Sequence, residues 1–230
     1  MENSLNTPRV NVYAYIHKAL RSLMCHTLVT VGRTDPTDTT EVDATLAQVR
    51  DLTGLFATHL AHENTFLHSA MEARARGSSA TTAGDHTHHE VAINNLNALS
   101  QAVAQSSGTA RADALTRLYR NLALFVAENL THMEEEESAN NAVLWATYTD
   151  QELLAIEASI HQAIEPAEMA LCMHWMLPGL NAVERAGVLM GIRDHAPEPV
   201  FGGMLGIARK TLSTHDFEKV DRALRQPLAA

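Results

Sequence analysis

Cysteine is almost missing from this chain. Its two, Cys25 and Cys172, are too few for a disulfide framework or a thiolate metal site, and both suit a reducing compartment. Aromatic residues are scarce at 5%, and glycine (11) and proline (7) are few for 230 residues rich in alanine and leucine, a balance that favours an all-helical protein. Basic residues are outnumbered, 17 Lys and Arg against 27 Asp and Glu, for a net charge of −10. With no basic stripe and no basic amphipathic segment, neither nucleic acid nor a membrane surface is an expected partner. No apolar run is long enough to span a bilayer. The opening MENSLNTPRV lacks the apolar core of a signal peptide, so a cytoplasmic location is expected. Histidine breaks this pattern of shortage: there are 13, concentrated in the first two thirds of the chain.

Apolar residues recur at spacings of three and four in four stretches between residues 9 and 147. The first carries Tyr13, His17, Leu20, Met24, Leu28 and Val31, and GRTDPTDTT ends it. Thr40 with Asp43 resembles a start signal for the second, whose stripe is Leu52, Phe56, His59, Glu63, Phe66 and Ala70. RGSSATTAG, residues 76 to 84, reads as a flexible break, after which Asp85 caps a third helix with His86, His89, Ile93, Leu96 and Val103 inward. The fourth stripe, beyond QSSG, is Leu118, Leu122, Phe125, Asn129, His132, Glu136, Ala139 and Val143. The expected fold is all-α, an up-down-up-down four-helix bundle over residues 9–147 with a C-terminal helical appendage over 148–230.

Every one of these stripes carries histidine at core spacing, and two carry a glutamate one turn later, in HLAHE and THMEEEE. A lone buried histidine is usually a core residue satisfied by one hydrogen bond. Several imidazoles and two carboxylates buried together are different, because burying them without a cation would be very costly. The halves also repeat: His17 precedes His59 by 42 residues and His89 precedes His132 by 43 (His86 by 46), each HxxxE motif closing its half. Imidazole and carboxylate without thiolate suit iron, manganese or zinc, and carboxylates from two helices can each bridge a pair of ions in a bundle core.

His17 in IHKALR, His59-x-x-x-Glu63, a histidine near the start of the third helix and His132-x-x-x-Glu136 resemble the hemerythrin-like, or HHE cation-binding, family over roughly residues 10 to 145. The resemblance implies a four-helix bundle around a non-haem di-iron centre, two iron ions with a bridging oxide or hydroxide. It also implies binding or sensing of oxygen or a related small oxidant. The alternatives are a di-iron oxidase or peroxide-decomposing enzyme, and a metal-free helical interaction protein. His17, His59, Glu63, His132 and Glu136 match the motif directly. In DHTHHE both His86 and His89 fit the inward stripe while His88 points elsewhere; height above the following turn favours His86, repeat spacing favours His89, and both are carried as ligands. Counting both gives the five histidines and two carboxylates of oxygen-carrying members. Glu136 departs from the carriers, which have a differently spaced Asp, and this weakens transfer of the carrier role but not of the metal.

His62 and His68 lie off the second stripe and read as surface groups or outer neighbours of the ligands. Glu134, Glu135 and Glu137 read as a solvated face, Tyr13 as a core phenol and Cys25 as a buried thiol. Beyond residue 148, Thr149 with Glu152 and Asn181 with Glu184 have capping-box spacing. Pro166, Pro178, Pro197 and Pro199 punctuate short helices, and His161, His174, His195 and His215 pair with nothing. This appendage is expected to pack on the bundle, form a homodimer or receive a protein partner.

Overall fold

The computed structural model describes residues 9–225, and among them no strand occurs. Asn11 accepts hydrogen bonds from the backbone N–H groups of Tyr13 and Ala14 at 3.0 and 3.1 Å and so starts α1 (Ala14–Arg33). Asp38, rather than the expected Thr40, caps α2 (Thr39–His62), accepting from the N–H groups of Thr40 and Glu41. The rod continues into α3 (Ser69–Arg74), and the chain reverses at Gly77, whose φ of +83° is the left-handed conformation that glycine adopts without strain.

The following helix starts earlier than the sequence suggested. Glu72 accepts from the N–H groups of Gly77 and Ser79 and from the Ser79 hydroxyl, at 2.7, 3.2 and 2.8 Å. That clasp fixes the turn, and α4 (Ala80–Ala104) begins at once, so Thr81 to Gly84 are helical and Asp85 stands inside the helix instead of capping it. Next come α5 (Gly108–Glu135) and α6 (Asn141–Thr147), one continuous rod. Helix α4 packs against both α2 and α5. Phe56 and Phe125 meet edge to face at 5.1 Å in the centre. The last turns of α1 join through Thr34 and Thr45, whose hydroxyls lie 2.8 Å apart, and through Gly32, where a Cβ would come within 2.9 Å of the Tyr119 ring. The expected all-α bundle is what these contacts build.

Two of the rods are not α-helical throughout. Each contains a π-helical turn, Glu63–His68 and Glu136–Asn140. Bonding from i to i+5 inserts one residue into the helix, which rotates everything after it by about 100° from the α-helical phase. The inward stripes therefore slip by one position. Phe66, Ala70 and Val143 are only half-buried and Ala139 is exposed; the buried residues are Leu67, His68 and Met71 in one rod, Asn140, Asn141 and Leu144 in the other. Leu67, Met71 and Leu144 then share a core cluster with Tyr13 and with Leu153 of α7 (Asp150–Ala163), which the Thr149–Glu152 capping box starts as its spacing promised.

The chain divides into two compact units. One holds the chain up to Ala14 together with Thr27–Ile164; the other holds Tyr15–His26 together with the chain from Glu165. In the second unit, α8 (Pro166–Gly179), α9 (Ala182–His195), α10 (Glu198–Thr211) and α11 (Thr214–Arg225) close over Met173, Leu177, Leu189, Ala208 and Val220. Asn181 and Glu184 form the second capping box. Glu184 also receives Lys18 at 2.5 Å, and a Cβ at Gly179 would meet the Lys18 carbonyl at 3.0 Å, so the Tyr15–His26 stretch lies close on this layer. Arg185, only 4% exposed, donates to the carbonyls of Leu177 and Leu180 and ties the end of α8 to α9. Cys172 is buried, but Cys25 is exposed, because it follows Met24 on α1 and is rotated off the buried stripe.

Candidate metal centre

The centre is built from three rods of the first unit. In the last turn of α2, His59 places Nε2 3.3 Å from Oε1 of Glu63, the first residue of the π turn. In the last turn of α5, His132 places Nε2 3.3 Å from Oε2 of Glu136, again the first residue of a π turn. Both HxxxE pairs therefore sit on the final α-helical turn, where four residues bring side chains to one face, and the register change comes only afterwards. From α4, His86 reaches between them, with Nε2 3.4 Å from Oε2 of Glu63, 3.5 Å from Oε1 of Glu136 and 3.1 Å from Nε2 of His132. Glu63, His86, His132 and Glu136 each offer a ligand atom within 4.8 Å of all the others, and His59 stands in the same relation to the two glutamates.

These groups are deeply buried: Glu136 is 0%, His86 1% and Glu63 3% exposed. Burial alone would depress the pKa of His86, but hydrogen bonds to Glu136 and Glu63 outweigh it and raise it to about 9. His132 moves the same way, with burial opposed by Glu136. Glu136 stays below its ordinary value although burial and the neighbouring Glu63 carboxylate both push it up, because His132 and His86 bond to it. Two carboxylates that hold protons on buried imidazoles would hold a cation in the same place. The donor set of nitrogen and carboxylate oxygen without sulfur fits iron, manganese or zinc.

The remaining predicted residues divide. His17 is fully buried on α1, in the Tyr15–His26 stretch that belongs to the second unit. His89 is also buried, but its ring stands edge-on to that of His132 at 4.7 Å and it is in neither group of possible ligands. Burial, then the neighbouring His132 and His86, lower its pKa to about 4, so it is a neutral wall of the site. Of the two roles left open for His68, the structure supports the outer neighbour of the ligands. The π turn brings it inward, 5% exposed, with its ring stacked on that of His86 at 4.7 Å and its Nε2 3.2 Å from the Thr82 hydroxyl. Thr82 in turn accepts from Asn140, whose amide also reaches the Tyr13 phenol at 3.4 Å. Burial, Glu63 and Glu136 raise the Tyr13 pKa well above its ordinary value, so this core phenol stays protonated. None of His161, His174, His195 and His215 falls in a group that could hold a metal ion.

Two outer contacts also escaped the sequence. Asn64 Oδ1 lies 2.8 Å from Nδ1 of His86, and Asp85 Oδ2 lies 3.2 Å from Nδ1 of His132. Asp85 had been given to a helix cap, and Asn64 has no motif; only the crossing of α4 over its neighbours brings them to the rings.

Comparison with curated proteins and with solved structures gave no match. The family model of the hemerythrin HHE cation binding domain matches residues 10–144, which takes in both π turns and every residue of the centre. The chain therefore belongs to the hemerythrin HHE cation-binding domain family.

Proposed function

We propose that this chain is a non-haem di-iron protein that binds or senses oxygen or a related small oxidant. One observation carries the reading: two groups of possible ligands share both glutamates. Glu63 and Glu136 complete one with His86 and His132, and His59 joins the same two carboxylates in the other. Glu63 and Glu136 would hold both ions, with His86 and His132 serving one and His59 the other. Iron held there would supply one-electron chemistry toward a small oxidant. The protein supplies the rest: buried carboxylates that select for cations, imidazoles held with Nε2 inward, and apolar walls from Phe56 and Phe125 that keep bulk water out.

His89 decides how far the alternative of turnover has to be weighed. Two six-coordinate ions offer about twelve positions. With His89 outside the ligand groups, the remaining histidines and the two carboxylates leave more of those positions for external ligands than a five-histidine set would. That favours a second reading, oxidase or peroxide-decomposing activity, over simple reversible carriage. Elemental analysis of protein from iron-replete cells tests the first step, with about two irons per chain expected. Anaerobic reduction followed by oxygen or peroxide then separates the two readings. A stable visible band marks binding, and consumption of peroxide beyond one equivalent marks turnover. Folded protein free of iron, manganese and zinc would overturn both.

A further inference from the structure

The two histidines that approach both glutamates are backed by different groups. His86 donates from Nδ1 to a neutral carboxamide, Asn64, while the Nδ1 of His132 faces a carboxylate, Asp85. In both rings Nε2 is the atom that faces the carboxylates, Glu63 and Glu136 for His86 and Glu136 for His132, so an acceptor at Nδ1 fixes the tautomer that leaves Nε2 free to bind a cation. Asp85 adds a charge to that effect. A carboxylate behind an imidazole draws the ring proton toward itself and makes the opposite nitrogen a stronger donor. The carboxylate is 38% exposed, so it joins a buried ligand to solvent, whereas the ring it holds is 3% exposed.

Resting on the metal-centre reading above, we propose that Asp85 is a positioning residue that makes His132 the dominant nitrogen donor of its ion, and that the His86–His132 pair is electronically unequal by construction. Asn64 is its neutral counterpart. The helix sets this up economically: Asp85 and His86 are adjacent on α4, so one turn delivers a ligand to the centre and a carboxylate to the ligand of the next rod.

The test is cobalt(II) binding to the metal-stripped full chain, followed by chelator competition and by the visible ligand-field bands. Asp85→Asn keeps the shape of the side chain and removes its charge. It should weaken one cobalt about 10-fold and shift the bands, and Asp85→Ala should extend the loss toward 100-fold. Asn64→Asp in the Asp85→Asn background moves the charge behind His86; affinity should recover while the bands stay shifted. Far-ultraviolet circular dichroism and melting of each stripped variant should match wild type, since Asp85 is half-exposed and meets the edge of the His132 ring rather than the apolar core. Wild-type uptake of two cobalt ions with an unaltered Asp85→Asn variant would overturn this inference alone. Wild type that takes up no cation would overturn the metal-centre reading and this inference with it.

Discussion

The two HxxxE rods share one plan and differ in the side chains their π turns bury. Each ends its α-helix at the glutamate, opens a π turn there, and resumes α-helix six or five residues later. Counting from the glutamate, Leu67 corresponds to Asn140, His68 to Asn141 and Met71 to Leu144. The outermost pair is apolar on both sides and packs around Tyr13. The inner positions diverge: the first rod places an imidazole against His86, the second buries a carboxamide. The π turn is thus a backbone device used twice, and the residue it delivers sets what each half contributes. Its likeness between the halves explains why both glutamates point to one place. Its differences explain why the centre is not symmetric.

The glutamates are where the rods are most alike, and removing either should have the largest effect. Glu63→Ala or Glu136→Ala should each take metal content from about two ions per chain to below one, since both ligand groups contain both residues. Glu135→Ala should leave it unchanged, because Glu135 precedes Glu136 by one residue and is rotated about 100° away on the helix. Elemental analysis after gentle purification checks this. Full loading of Glu136→Ala would show that the rods do not share their ligands.

A deletion tests the device itself. Removing Thr65 or Ser138, both exposed, should convert one π turn to α-helix and turn the segment beyond it by about 100°. His59 and Glu63, or His132 and Glu136, keep their spacing. What is lost is the seating of Leu67 and Met71, or of Leu144, in the Tyr13 cluster, at about 2–5 kcal/mol per large apolar residue displaced. Chemical denaturation should therefore show a marked loss of stability for either deletion. If the two deletions differ greatly, the halves share a shape but not a structural weight.

A smaller effect separates the neighbouring histidines of α4. His86→Ala should cost one ion, because His86 lies within 3.5 Å of both carboxylates. His89→Phe should retain both ions, since His89 is edge-packed among aromatic rings and lies in neither ligand group. Metal content of the two variants, measured side by side, decides it; loss of an ion from His89→Phe would return that residue to the ligand set.

Much of this was legible in the sequence for a physical reason. The HxxxE pairs precede the π turns, so the α-helical period still governs them. The stripes from Leu52 to His59 and from Leu118 to His132 needed no tertiary information either. The period misled from the glutamates onward, because a π turn is made from the same residues as an α-helix and leaves no mark in composition. Phe66 and Ala139 therefore read as inward and His68 as off the stripe, each one position out of phase, although one of the two roles left open for His68, an outer neighbour of the ligands, is the one it has. The start of α4 was missed for another reason: Glu72 closes that turn from an earlier helix, a contact that no local propensity encodes. His86 and His89 share the buried stripe, so spacing alone could not rank them, and only the crossing with the two glutamates does.

The mildest change bears on one of the differences between the rods. His68→Asn gives the first rod the residue that the second has at the matching position, Asn141. His68 is in neither group of residues that could hold a metal ion, so both ions should remain. The imidazole does two other things: it stacks on His86 at 23° between ring planes, and it meets the Thr82 hydroxyl, which also accepts from Asn140. An asparagine keeps a polar atom in the pocket but is too short to cover the His86 ring. The expected loss is that of one hydrogen bond and part of a ring contact, about 1–2 kcal/mol, seen as a lower denaturation midpoint at unchanged slope. If the variant instead bound one ion fewer, the ring would be holding His86 in its ligating position, and the π turn of the first rod would belong to the centre as well as to the core.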